Sequence, residues 1–132
     1  MLAVGVPRIL IVDDSVIIHS IFKATFARVG EVDLSFAKNG KEALEQIASR
    51  GAPALIFLDV NMPVMNGLDF LGHLKTQGLL GGMKVVIVST EGRSEDVQRG
   101  LEAGATAYVL KPFKPEDLAQ VLREQLGWSG GS

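Results

Sequence analysis

"LIFLDVNMPVMNG", residues Leu55 to Gly67, is the stretch on which the fold turns. With Ala54 in front it opens as an unbroken apolar run, too short for a helix. It halts at Asp59 and runs on into Pro63, Asn66 and Gly67, all turn formers. An apolar run of about four to eight residues bounded by such signals reads as a strand buried on both faces, the kind found in parallel sheets covered by helices. This strand ends by holding a lone carboxylate at the lip of a turn.

On either side the same grammar repeats. "RILIV" (Arg8 to Val12) and "VVIV" (Val85 to Val88) are continuous apolar runs, and "AYVL" (Ala107 to Leu110) is the last. "VDLSFA" instead alternates, with Val32, Leu34 and Phe36 on one face, which suits a half-covered strand at a sheet edge. Helical stripes fill the gaps. Ile18, Phe22, Phe26 and Val29 share one face, as do Ala43, Leu44, Ile47 and Ala48, then Leu68, Leu71 and Leu74. Val97 and Leu101 follow a start at Ser94, with Glu95 and Asp96 where the helix dipole favours acids. Leu118, Val121, Leu122 and Gln125 follow Pro115, a residue suited to a first helical position. Asn39, with Glu42 three residues on, is close to a capping box for the second helix. The order is strand then helix, five times. Short connections make the strands parallel, the crossovers right-handed and the helices two-sided.

The totals agree with one domain, residues 1–127, and a flexible tail, 128–132. The chain has 132 residues, 47% of them hydrophobic and 21% charged, with a formal net charge of −2. A slightly acidic chain offers no electrostatic footprint for nucleic acid or an anionic membrane. With no cysteine, disulfides and thiolate chemistry are excluded. The N-terminus lacks a signal-peptide pattern and no apolar run reaches the roughly 18 residues of a membrane span, so a cytoplasmic protein is expected.

Ligands of open α/β sheets bind beyond the carboxyl ends of the strands. There the sequence delivers Asp13 and Asp14 after the first strand, Asp59 after the third, Ser89 and Thr90 after the fourth, and Lys111 after the fifth. His19 and His73 fall inside helical stripes and read as solvated residues rather than ligands. Three carboxylates on one rim repel, each pair by roughly 4 kcal/mol at about 4 Å and an effective dielectric near 20. Lys111 offsets part of that. The rest asks for a hard cation with oxygen ligands, and Mg²⁺ is the usual one where carboxylates face a phosphate. Asp59 then suits a nucleophile toward phosphorus, with Lys111 and the Ser89 hydroxyl facing the transferred oxygens.

"ILIVDDS", "LIFLDVNMPVMNG", "VIVSTE" and "AGATAYVLKPF", in this order from about Arg8 to Gly127, resemble the CheY-like receiver domain of bacterial two-component response regulators. The resemblance implies a flavodoxin-like, doubly wound α/β fold with five parallel strands in order 2-1-3-4-5. By position it implies that Asp59 is the phosphoacceptor, Asp14 a direct Mg²⁺ ligand and Asp13 one acting largely through water. Asn61 matches the residue whose backbone carbonyl completes the metal shell. Ser89 matches the hydroxyl that follows the phosphoryl group, and Tyr108 the aromatic that turns inward on activation. Lys111 matches the family lysine, with a cis bond to Pro112. Asn66 replaces the aspartate more usual before that glycine.

The implied function is a phosphorelay receiver rather than an enzyme. A sensor histidine kinase or phosphotransfer protein donates, and a downstream protein reads the switch, in chemotaxis or another pathway. No segment suited to DNA follows the fifth helix, and a weak homodimer through the fourth and fifth helices is left open. One rival is a slow aspartate-based phosphatase. Such enzymes carry a second aspartate two residues past the nucleophile, where this chain has Asn61, which shuttles no proton. A degenerate receiver serving only as an interaction module is the other, and the full set of Asp13, Asp14, Asp59, Ser89 and Lys111 counts against it. A nucleotide-binding module lacks its glycine motifs here.

Overall fold

Each apolar run is a strand and each stripe a helix: β1 (Arg8–Val12), α1 (Val16–Val29), β2 (Asp33–Ala37), α2 (Gly40–Arg50), β3 (Leu55–Leu58), α3 (Gly67–Thr76), β4 (Lys84–Ser89), α4 (Ser94–Glu102), β5 (Ala107–Leu110) and α5 (Pro115–Leu126). The computed structural model describes residues 6–59, 67–79, 81, 83–90 and 92–127. All neighbouring strands pair in parallel, in the order β2-β1-β3-β4-β5. The doubly wound sheet that the sequence implied is therefore the fold observed.

Strand periodicity sorts the core into two layers. Ile9 and Ile11 of β1, Leu55 and Phe57 of β3, and Val86 and Val88 of β4 face α1 and α5, meeting Phe22, Phe26, Leu118, Val121 and Leu122. Their neighbours Leu10, Val12, Ile56, Leu58, Val85 and Ile87 face the other way, onto Ala43 and Ile47 of α2 and Phe70, Leu71 and Leu74 of α3. The three central strands are thus buried on both sides, which is why they carry no polar residue between their ends. Val32, Leu34 and Phe36 line one face of the edge strand as expected, packing with the α1 layer. Each fully buried side chain of this kind stabilises by about 1.5–3 kcal/mol.

Three local expectations differ. Ala48 is exposed, because α2 buries Gly40, Ala43 and Ile47, with Leu44 at the margin. Leu101 is 45% exposed, since α4 turns Gly100, not Leu101, onto the sheet. Ser94 is the first helical residue of α4 rather than its cap; Arg93 holds that position and its Nε pairs with Asp96 Oδ2 at 3.1 Å. Elsewhere the caps follow the sequence. Asn39 Oδ1 accepts from the Glu42 N–H at 2.9 Å, and Glu42 Oε1 accepts from the Lys38 N–H at 2.9 Å. At the other end of α2, Gly51 has φ +88°, a conformation that a side chain would strain.

Candidate acidic phosphoacceptor site

The rim residues hang from the sheet by main-chain bonds that extend the strand ladders past their ends. The Asp13 N–H donates to Ala37 O at 3.0 Å, Asp59 N–H to Val12 O at 2.9 Å and Lys111 N–H to Ser89 O at 2.8 Å. The main chain at Asp13, Asp59 and Lys111 is therefore held in position by a neighbouring strand. Lys111 precedes a cis bond to Pro112, as the resemblance implied. Phe113, just beyond, packs its ring on Phe22 with centroids 4.6 Å apart, anchoring the loop that carries the lysine.

Asp13 is the hub. Its Oδ1 accepts from the Ser15 N–H at 2.9 Å, and its Oδ2 from Lys111 Nζ at 3.1 Å. Ser15 in turn caps α1, its Oγ accepting from Ile18 N–H at 3.2 Å. Asp13 is 3% exposed, Asp59 8% and Ser89 1%, so the burial falls on the polar groups at the centre of the rim. Asp14 lies on the outer, exposed side. One carboxylate oxygen from each of Asp13, Asp14 and Asp59 falls within a common 4.8 Å. At that separation and an effective dielectric near 20, the buried Asp13–Asp59 pair repels by about 3.5 kcal/mol. Hard, anionic oxygens gathered this closely are a donor set that a small divalent cation fits.

The structure thus brings Asp13, Asp14, Asp59, Ser89 and Lys111 to one edge. At that edge Lys111 pairs with Asp13, 98 residues away, one of the three carboxylates whose charge the sequence had it offset. Tyr108 lies two residues inward from the carboxyl end of β5, half-buried against the layer of α2 and α3. A Cβ added to Gly100 of α4 would stand 3.6 Å from its ring. Asn61, with Asn66, Glu91 and the tail from Trp128, lies outside the described residues.

One residue reads differently from expectation. His73 is exposed, as expected, but His19 is not a solvated helix residue. It is half-buried, its ring lies 4.9 Å from that of Phe36, and its Nε2 bonds the main-chain oxygen of Asp13 at 2.7 Å. The available signal was its place four residues after the helix cap Ser15, on the first turn facing back toward Asp13.

The family model for the response regulator receiver domain matches residues 9–123. The chain belongs to that family. Chemotaxis protein CheY1 of Helicobacter pylori is 34% identical over 120 residues, spanning 91% of this chain and 97% of that protein. The chemotaxis protein CheY homolog of Campylobacter jejuni is 34% identical over 124 residues, spanning 94% and 95%. The chemotaxis response regulator CheY4 of Vibrio cholerae superposes with a TM-score of 0.80 at 34% identity, over 92% of this chain and 99% of that one. This receiver is accordingly a two-component signalling domain of CheY type, and receivers of this type are signalling proteins rather than classical enzymes. Receivers generally bind Mg²⁺ in an acidic pocket, and the acidic cluster here is Asp13, Asp14 and Asp59. No helix among the described residues is long and apolar enough to cross a membrane.

Proposed function

We propose that this receiver accepts a phosphoryl group on Asp59 from the phosphohistidine of a sensor kinase or phosphotransfer protein, and passes the signal on by a conformational switch to a protein target in the cytoplasm. The observation that carries this is the burial of Asp59 at the end of β3, beside Asp13 and Asp14. An Asp59 oxygen attacks phosphorus, the P–N bond breaks, and its electron pair stays on the departing imidazole. Asp13 and Asp14, with an Asp59 oxygen and the carbonyl of Asn61, would hold Mg²⁺. When bound, the ion neutralises charge on phosphoryl oxygens and orients them. Lys111 supplies a second positive charge, and its bond to Asp13 keeps the ammonium at the rim. The Ser89 hydroxyl stands at the same edge to follow a phosphoryl oxygen. Tyr108 then repacks against α4, which changes the surface around α4 and β5. This is a local charge change biasing a two-state element.

Intact mass after incubation with Mg²⁺ and acetyl phosphate tests the acceptor. A single phosphoryl adduct on the wild type and none on Asp59→Asn is the expected result. An adduct on Asp59→Asn at wild-type yield sinks the assignment. No adduct on either protein, with Mg²⁺ present, would favour a receiver that acts only by binding.

A further inference from the structure

The bond between His19 and the Asp13 carbonyl has no place in the chemistry above, yet it ends at the acidic cluster. A carbonyl oxygen only accepts, so Nε2 carries the hydrogen. The residue is held in two other ways. Its backbone N–H donates to Ser15 O at 3.1 Å in the first turn of α1, and its face rests on Phe36 of β2. The histidine therefore spans the junction of α1, β2 and the loop that carries Asp13 and Asp14.

The oxygen it holds belongs to the peptide between those two aspartates. Asp13 has its own restraints, from Ala37 on its N–H and from Ser15 and Lys111 on its carboxylate. Asp14 differs: among the described residues its carboxylate takes part in no hydrogen bond or ion pair. With no such partner among the described residues, the backbone before Asp14 bears directly on where its oxygens reach, and His19 holds the Asp13–Asp14 peptide through its carbonyl oxygen. We propose that His19 is a positioning residue for the cation site: by holding the Asp13 carbonyl it aims Asp14 at the oxygens of Asp13 and Asp59. This rests on the Mg²⁺ binding proposed above.

The arrangement matches a general feature of metal sites, in which groups behind the ligands orient them and their loss weakens binding by about 10- to 100-fold. His19→Phe keeps a ring against Phe36 and removes the donor. His19→Gln keeps an N–H at a similar reach and removes the ring. Titration calorimetry of the full chain with MgCl₂, alongside thermal melting in EDTA, separates positioning from packing. The expected result for His19→Phe is a Mg²⁺ dissociation constant raised by about 10-fold with the metal-free melting temperature near that of the wild type. His19→Gln should recover most of the affinity. Wild-type affinity in His19→Phe overturns the proposal. So does an affinity loss in His19→Phe that is matched by a fall in metal-free stability and not recovered by His19→Gln, because that is a packing role. Should His19→Phe fail to fold, His19→Met puts the same question with a flexible apolar chain. Failure of the wild type itself to take up Mg²⁺ would count against the cation site, a different result from equal affinity in the two proteins.

Discussion

Two glycines inside helices make opposite predictions for the same substitution. Gly72 of α3 faces solvent, and a Cβ there meets nothing within 4 Å. Gly100 of α4 is the buried residue of its helix, and a Cβ there would overlap Cδ1 of Ile87 and touch the Tyr108 ring. Alanine gains about 1 kcal/mol over glycine in a helix interior, so Gly72→Ala should stabilise by about that much. At Gly100 the same gain opposes an overpacking cost of about 1–3 kcal/mol, because Ile87 is fully buried and must shift. A net loss of about 1 kcal/mol is expected. Ile87→Val removes the offending Cδ1 and alone costs about 1 kcal/mol. In the double variant the new methyl occupies the space vacated by Cδ1. It should therefore lie near wild-type stability, with a coupling energy of about 1.5–2 kcal/mol. Urea unfolding followed by far-UV circular dichroism gives all five values from midpoint and slope. Additivity within about 0.5 kcal/mol would refute the packing argument, as would stabilisation by Gly100→Ala equal to that of Gly72→Ala.

Lys111→Met leaves Asp13 buried without its ammonium partner and should lower stability in EDTA by about 2 kcal/mol, less than a fully buried pair because the lysine is partly exposed; an unchanged urea midpoint would contradict this. Mg²⁺ should raise the wild-type melting temperature and Asp13→Asn should blunt that rise, whereas equal shifts in both would remove Asp13 from the cation site. Phe22→Ala empties the centre of a ring cluster that includes Phe26, Phe57 and Phe113, for a loss of about 3–5 kcal/mol; a loss under about 1 kcal/mol in urea unfolding would mean that the cluster is loosely packed. Asn39→Ala removes the cap of α2 and should cost about 1 kcal/mol, with Asn39→Asp close to neutral in the same assay.

The order of elements was written in local pattern. "ILIV" after Arg8 and "LIFL" are strands because every side chain in them is apolar and buried, and Ile18, Phe22, Phe26 and Val29 all meet the sheet at helical spacing. The rim was legible too, since in parallel strands every carboxyl end falls at one edge, so Asp13, Asp14, Asp59, Ser89 and Lys111 had to converge. Periodicity could not tell which side of α4 would be covered. Leu101 and Gly100 are neighbours, and the close approach of the helix to Ile87 favoured the residue without a side chain.

What the sequence by itself determined was the alternation of strand and helix and the types of residue at the strand ends. Only the tertiary structure decided the partners. Lys111 met Asp13, and His19 left solvent for the carbonyl of Asp13. Local pattern records which face of an element is apolar. A hydrogen bond between polar groups depends on where two separate elements stand, and that is set by the packing of the whole sheet.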